Sequence, residues 1–174
     1  MTGWRTMIFG LATVAMTPAW GCGDAGAPSQ ELVAAIQGGE FLGTDGVTLQ
    51  EQDADCGPAV LHMLLAEVGI HVPYEVILAL HPNPEEFWSF ADMREHASSH
   101  GLEIRGFRAN IVGLRGARLP LVAHLQDHFV LVDSIHLARI HVRDPFVGRL
   151  EYTPEAFNEK WTGNVLVMTE RESS

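Results

Sequence analysis

The spacing of apolar residues changes once along this chain, near Leu102, and that change limits the folds open to it. Before it, apolar residues recur at helical spacing. Ala59, Val60, Met63 and Leu64 form a stripe, widened by Leu61, Leu65 and Val68, and Gly69 closes it. Pro73 opens a second short helix over residues 74–80, and the loop 81–84 carries Pro82 and Pro84, which forbid regular structure. Ser89 and Asp92 form a capping-box pattern that starts a helix near residues 90–99, ended by Gly101. After Leu102 the period drops to two. Residues 103–108, 119–124, 128–133, 139–144 and 165–169 read as strands, and Thr153-Pro154-Glu155 caps a short helix running to about Trp161. The turns between these strands, at 125–127, 134–138 and 145–148, are short enough to imply antiparallel hairpins. Helices first and an antiparallel sheet second make an α+β fold, with N-terminal helices packed on a C-terminal sheet.

The first helix begins at a cysteine. Asp55 suits the N-cap position, and Pro58 fits only in a first turn, where its missing N–H is no loss. Cys56 therefore sits at a helix N-terminus, where unpaired N–H groups and the positive end of the dipole favour a thiolate. Buried cysteines are common, and a small core hydrophobe is the plain reading of this one. Its surroundings argue for a nucleophile: Gln50 lies six residues upstream behind an acidic loop, and Gly57 allows close approach to the sulfur. Two later residues supply partners. His128 opens one predicted strand and Asp144 ends the next. If these strands pair across the 134–138 turn, the two become cross-strand neighbours, a base beside its orienting acid.

The stretch Gln50…Asp55-Cys56-Gly57-Pro58-Ala59…Leu61 resembles the active-site motif of papain-like cysteine peptidases that remove double-glycine leaders, best known as peptidase domains of bacteriocin-exporting ABC transporters. Residues 120–129 resemble that family's segment around the catalytic histidine, and Asp144-Pro145 with Gly148 its aspartate segment, so the likeness runs from about Leu49 to Met168. It implies the papain-like fold, with Cys56 as nucleophile, His128 as base, Asp144 as its orienting acid and Gln50 as an oxyanion donor. It also implies a cysteine endopeptidase that takes a peptide or protein substrate, with a narrow site favouring small residues such as Gly-Gly, and needs no cofactor. The chain carries neither an ATP-binding motif nor a transmembrane bundle, so any link to export would need a separate partner. Two other functions stay open: a non-catalytic peptide-binding module on the same fold, and an acyltransferase or amidase using the same triad.

A net charge of −11 argues against nucleic acid, and 47% hydrophobic residues in 174 suit one domain with a real core. The N-terminus reads as an export signal: Arg5, then an apolar run over residues 7–16, shorter than the ~20 residues of a membrane span. Ala19-Trp20-Gly21 before Cys22 resembles a bacterial lipobox, with Trp20 departing from it; ordinary cleavage near Gly21 or Ala27 and an uncleaved anchor are the alternatives. The expected organisation is a signal over 1–21, a tether over 22–40, a peptidase domain over 41–170 and a tail over 171–174, placing the protein in the cell envelope as a membrane-tethered lipoprotein or a released exported protein. Gln37-Gly38-Gly39 reads as a turn into the domain, with self-cleavage after Gly39 as the sharper alternative. If Cys22 is lipidated or removed, Cys56 has no partner in the chain.

The remaining histidines take plain readings. His62, His71, His81, His96 and His100 fall on helices or loops, while His124 with His128 and Cys56 would be the one conceivable metal set, disfavoured because no second thiol lies near. Phe87 and Trp88 suit either a substrate groove or the core.

Overall fold

In the computed structural model, which describes residues 27–169 other than 81, 82 and 84, the change of period is the boundary between the main helices and the sheet. The expected export signal, Cys22 and the terminal tail lie outside the described residues. The chain runs α1 (Gln30–Ile36), β1 (Glu40–Gly43), a 3₁₀ turn (Asp53–Asp55), α2 (Cys56–Glu67), α3 (Tyr74–Leu78), α4 (Phe90–Ser99), β2 (Ile104–Arg108), α5 (Ile111–Arg115), β3 (Leu121–Leu125), β4 (His128–Ile135), β5 (Ile140–Asp144), β6 (Gly148–Tyr152), α6 (Pro154–Lys160) and β7 (Trp161–Met168). The strands form one sheet in the order β1-β6-β5-β4-β3-β7-β2, and every pairing is antiparallel.

Strand alternation sorts the core into two. Val122, Phe129, Leu131 and Leu166 meet α2 and α4 on one face, with Val60, Leu61, Leu64, Leu65 and Met93. Leu121, Ala123, Val130, Val132 and Val142 meet Ala34 of α1, Leu114 of α5 and Phe157 of α6 on the other. The central helix α2 is buried on nearly every side, and its three fully buried leucines each contribute about 1.5–3 kcal/mol by leaving water. That packing fixes where its first residue, Cys56, can be. The helix ends as its sequence predicts. Gly69 takes φ +77°, Ile70 N–H donates to Leu65 C=O at 3.0 Å, and Gly69 N–H donates to Ala66 C=O at 3.0 Å. Ser89 and Asp92 form the expected capping box, with Asp92 Oδ2 2.6 Å from Ser89 N.

Two differences from the sequence reading stand out. The packed structure begins earlier than expected: α1 buries Ala34 completely and β1 pairs with β6, so residues 30–40 belong to the fold and not to the tether expected over 22–40. The double glycine makes the expected turn, terminating α1, with Gly38 at φ +75° and Gly39 N–H donating to Ala34 C=O at 2.9 Å. A Cβ on Gly39 would lie 2.9 Å from Tyr152 Cε1, so this turn is pressed against the sheet. Finally, β6 and α5 were not foreseen. The strand alternates Leu150 and Tyr152 inward with Arg149 and Glu151 outward, but it is short and follows a turn-rich stretch. The helix is a single turn started by Asn110, whose Oδ1 accepts from Gly113 N at 2.9 Å.

Candidate active site

Three segments converge at one end of the sheet. The first is the β3–β4 hairpin, whose two-residue turn, Gln126-Asp127, delivers His128 as the first residue of β4, opposite Leu125. Gln126 takes φ +51°, and its N–H donates to Lys160 C=O at 2.9 Å, which ties the turn to the end of α6.

The second is the turn after β5. Leu131 pairs with Arg143 and Val132 with Val142, which sets Asp144 level with Val130. His128 is thus the diagonal neighbour of Asp144, two residues from the directly opposite position, and shares its face of the sheet. His128 Nε2 lies 2.8 Å from Asp144 Oδ1. The same oxygen accepts from Phe146 N at 2.8 Å and Val147 N at 3.3 Å, so this carboxylate, 2% exposed, is held on its own turn while it holds the imidazole. Gly148 makes the turn possible. Its φ is +130°, and a Cβ there would sit 2.6 Å from Gly43 C=O.

The third segment is the loop into α2. Gln50 N–H donates to Pro145 C=O at 2.9 Å, joining this loop to the Asp144 turn. Asp55 occupies the N-cap position of α2, as expected, but its carboxylate does not cap the helix. It turns back to accept from Gln52 N at 2.9 Å, closing the preceding 3₁₀ turn. The first N–H groups of α2 therefore have no side-chain acceptor from their own cap.

Cys56, buried in the core between α2 and the sheet, is within hydrogen-bonding reach of His128. Nε2 is engaged by Asp144, which leaves Nδ1 as the ring nitrogen open to another partner. Burial pushes the His128 imidazolium toward losing its proton. The hydrogen bonds that Asp144 and Cys56 accept from the imidazolium, and their negative charges, overcome this and raise its pKa to about 10. His124, four residues earlier, points to the opposite face, packs against Phe90 and Phe129, and bonds Thr162 Oγ1 at 3.2 Å. Burial lowers its pKa. The hairpin thus separates His124 from the His128 pair, and no group of three metal-ligating side chains occurs among the described residues.

The Gln50 side chain is committed within its own loop. Its amide nitrogen donates to the carbonyls of Gln52 at 3.0 Å and Asp53 at 3.4 Å. Exchanging its oxygen and nitrogen would set oxygen against oxygen, so this orientation holds. Gln50 Oε1 is buried with no donor among the described residues. Gly57 serves a different neighbour from the one its sequence position suggested. A Cβ there would lie 2.8 Å from Trp88 Cβ, so the missing side chain makes room for Trp88, which is buried, while Phe87 is exposed. Sequence reasoning also missed Lys160, Gln126 and Gln37, which share a cavity with His128 and Asp144. They lie at the ends of short elements far apart in the chain, and no local pattern marks them.

The described residues include no helix long and apolar enough to cross a membrane. The model of the Peptidase C39 family matches residues 45–173. An uncharacterised protein of Methanothermobacter marburgensis is 30% identical over 133 residues, covering 76% of this chain and 94% of its own length. A probable functional amyloid protease of Pseudomonas aeruginosa, FapD, is 25% identical over 68% of this chain and 58% of its own. Among solved structures, a double-glycine-motif protease from an AMS/PCAT transporter, in complex with a leader peptide, superposes with a TM-score of 0.68 at 25% identity, covering 72% of this chain and 91% of that one. The peptidase domain of Streptococcus ComA gives 0.65 at 21% identity, covering 72% and 98%. The fold is the papain-like one, the activity that of a cysteine peptidase, and the chain belongs to the Peptidase C39 family.

Proposed function

We propose that the protein hydrolyses peptide bonds through Cys56, His128 and Asp144, with Gln50 and the backbone N–H of Cys56 as oxyanion donors, and that it cuts after small residues such as Gly-Gly. The observation that carries this reading is the imidazole of His128, bonded to a buried carboxylate at 2.8 Å on one side and in reach of a helix-terminal thiol on the other.

The chemistry follows from that arrangement. With its proton on His128, the Cys56 thiolate attacks the scissile carbonyl carbon and a C–S bond forms. The carbonyl oxygen gains the negative charge and faces the start of α2, which has no side-chain cap and presents the positive end of the helix dipole. The C–N bond breaks as the imidazolium passes its proton to the leaving nitrogen. Water, deprotonated by His128, then cleaves the thioester and restores the thiol. Asp144 keeps Nε2 engaged, so that Nδ1 is the nitrogen that exchanges protons. For Gln50 to donate to the oxyanion, its amide turns one N–H away from the Gln52 and Asp53 carbonyls. The cost of its unpaired Oε1, about 1–3 kcal/mol in a buried site, favours such a turn.

Small residues before the cut are what the resemblance to double-glycine peptidases implies. The leader-peptide complex of the double-glycine-motif protease supports the same preference. The expected export and lipid attachment at Cys22 complete the proposal: an envelope peptidase working on an exported substrate, with any export machinery a separate partner.

The test is mass-spectrometric profiling of a peptide library with wild type and Cys56→Ala. Cleavage after Gly-Gly or similarly small pairs, absent from Cys56→Ala, is the expected result. Equal cleavage by the variant would refute the mechanism.

A further inference from the structure

A cavity of about 240 Å³ opens on the side of His128 that faces Asp144. Its polar side chains include donors that the fold leaves without a partner among the described residues. Lys160, the chain's only lysine, lines it from the end of α6 and has no carboxylate partner among the described residues. Gln126 lines it from the β3–β4 turn. Gln37 lines it from the end of α1, with its Oε1 accepting from Tyr152 Oη at 3.3 Å, so that the amide N–H groups remain to donate. The one carboxylate present, Asp144, is already taken by His128 and two backbone N–H groups. Phe146, half exposed, offers an apolar surface along the same wall. Three unspent donors, one of them cationic, with an apolar wall, describe a receptor for a carboxylate on a short aliphatic stem.

Its position relative to the chemistry is also defined. The imidazole protonates the leaving nitrogen, so the substrate chain beyond the scissile bond passes on the His128 side, away from the start of α2 and its oxyanion donors. We infer that this cavity is a substrate subsite that takes a carboxylate from the leaving-group portion of the peptide, within two residues of the cut. The assignment rests on the triad reading above. One of its walls also lies outside the residues that the family model matches, because Gln37 directly follows α1. The N-terminal strap thus supplies one wall of a recognition site, and through Gln37 and Tyr152 it fixes how wide that site is.

The experiment uses the full chain and peptides that share Gly-Gly before the cut and carry Glu, Gln, Ala or Lys in the two following positions. The readout is the ratio of kcat/KM between Glu and Lys peptides. Attraction in one case and repulsion in the other give an expected wild-type preference for Glu on the order of tenfold. Lys160→Met should flatten the ratio and Lys160→Glu should invert it. A ratio near one in the wild type, or the same ratio in all three proteins, would overturn the subsite. Peptides ending one residue after the cut, as free acid or amide, separate the two sources of a carboxylate. A gain limited to the free acid assigns the cavity to a chain terminus, whereas a gain from Glu in amidated peptides assigns it to a side chain. Fluorescence anisotropy of the same peptides on Cys56→Ala gives a second measure that needs no turnover. There the Glu peptide should bind more tightly than the Lys peptide, and Lys160→Glu added to that variant should reverse the order. Cys56-dependent cleavage with no charge preference sinks the subsite and leaves the triad standing. Cleavage that survives Cys56→Ala sinks the triad, and the binding order then decides the cavity alone.

Discussion

The sheet carries two rows in which a histidine stands between an acid and a group that could be a nucleophile. One is Cys56, His128 and Asp144. The other is Ser134, His141 and Glu151 on three successive strands: Ser134 Oγ lies 2.8 Å from His141 Nδ1, and His141 Nε2 lies 2.7 Å from Glu151 Oε2. In both, Nε2 of the histidine meets the acid. What differs is everything around them. Ser134, His141 and Glu151 are directly opposed in register, so they lie flat across one face of the sheet. Glu151 is shared with Arg139 at 3.2 Å. Cys56 instead reaches the sheet's end from the start of a buried helix, bringing a helix N-terminus with no side-chain cap, which no row of strand residues can offer. Asp144 is locked by two backbone N–H groups and a glycine that nothing larger can replace. The two rows thus share their connectivity and differ in the helix start that stands beside only one of them.

The acids should separate the two rows most sharply. Asp144→Asn keeps the shape but loses the charge that holds the His128 proton, and kcat/KM should fall on the order of 10³-fold or more. The pH profile gives the sign. A histidine held near 10 keeps its proton through neutral pH, so the alkaline limb of wild-type activity should follow its loss near 10. In Asp144→Asn that limb should move down toward the ordinary range. The same linkage acts on stability. A raised pKa contributes fully below the ordinary value of about 6.5, and the contribution is lost as pH rises through about 10. Thermal melts between those limits should therefore show a decline in wild type that is smaller in the variant. An alkaline limb unmoved by Asp144→Asn would mean that the carboxylate does not hold the charge.

Gln50→Ala comes next. Loss of one oxyanion donor typically costs 10²–10³ in kcat. A drop under tenfold, with KM and melting temperature both altered, would assign Gln50 to holding the loop that its amide spans in the free protein. Gly148→Ala tests the acid's support. At φ +130°, with Gly43 C=O 2.6 Å from the new Cβ, the substitution should destabilise by about 1–3 kcal/mol, read by chemical denaturation. If stability is unchanged, the turn is not what fixes Asp144.

The contrast between the rows also shows what a sequence can disclose. Cys56 was legible because a helix start is a local event, written in Asp55, Pro58 and the apolar stripe that follows. His128 and Asp144 were legible because one short turn joins their strands, although the register sets them diagonal rather than opposite. Legibility failed where the cause was distant. Asp55 was expected to cap α2 and instead bonds Gln52, which depends on the path of the preceding turn. Gly57 was read as room beside the sulfur and is room for Trp88, thirty-one residues on. The docking of α1 depends on Ala34 finding a sheet face that its own seven residues cannot announce. The Ser134 row was invisible for a related reason: its three residues become a row only through the register of two hairpins, one of which was not foreseen.

The smallest effect is the one that the comparison needs most. In Glu151→Gln the side chain can still accept from His141, while the ion pair with Arg139 is lost. Partly exposed pairs of this kind are worth about 0–1 kcal/mol, so stability should fall by no more than that. Peptide cleavage should stay within about twofold of wild type, since a substitution in this row leaves the cysteine's neighbours in place. A peptidase assay on Glu151→Gln beside Asp144→Asn therefore reads the difference between an acid that orients a base and an acid that only decorates one. A loss of activity in Glu151→Gln that approached the loss in Asp144→Asn, with the fold intact by thermal melt, would mean that the two rows are coupled through β5. The helix start beside Cys56 would then no longer suffice to distinguish one row from the other.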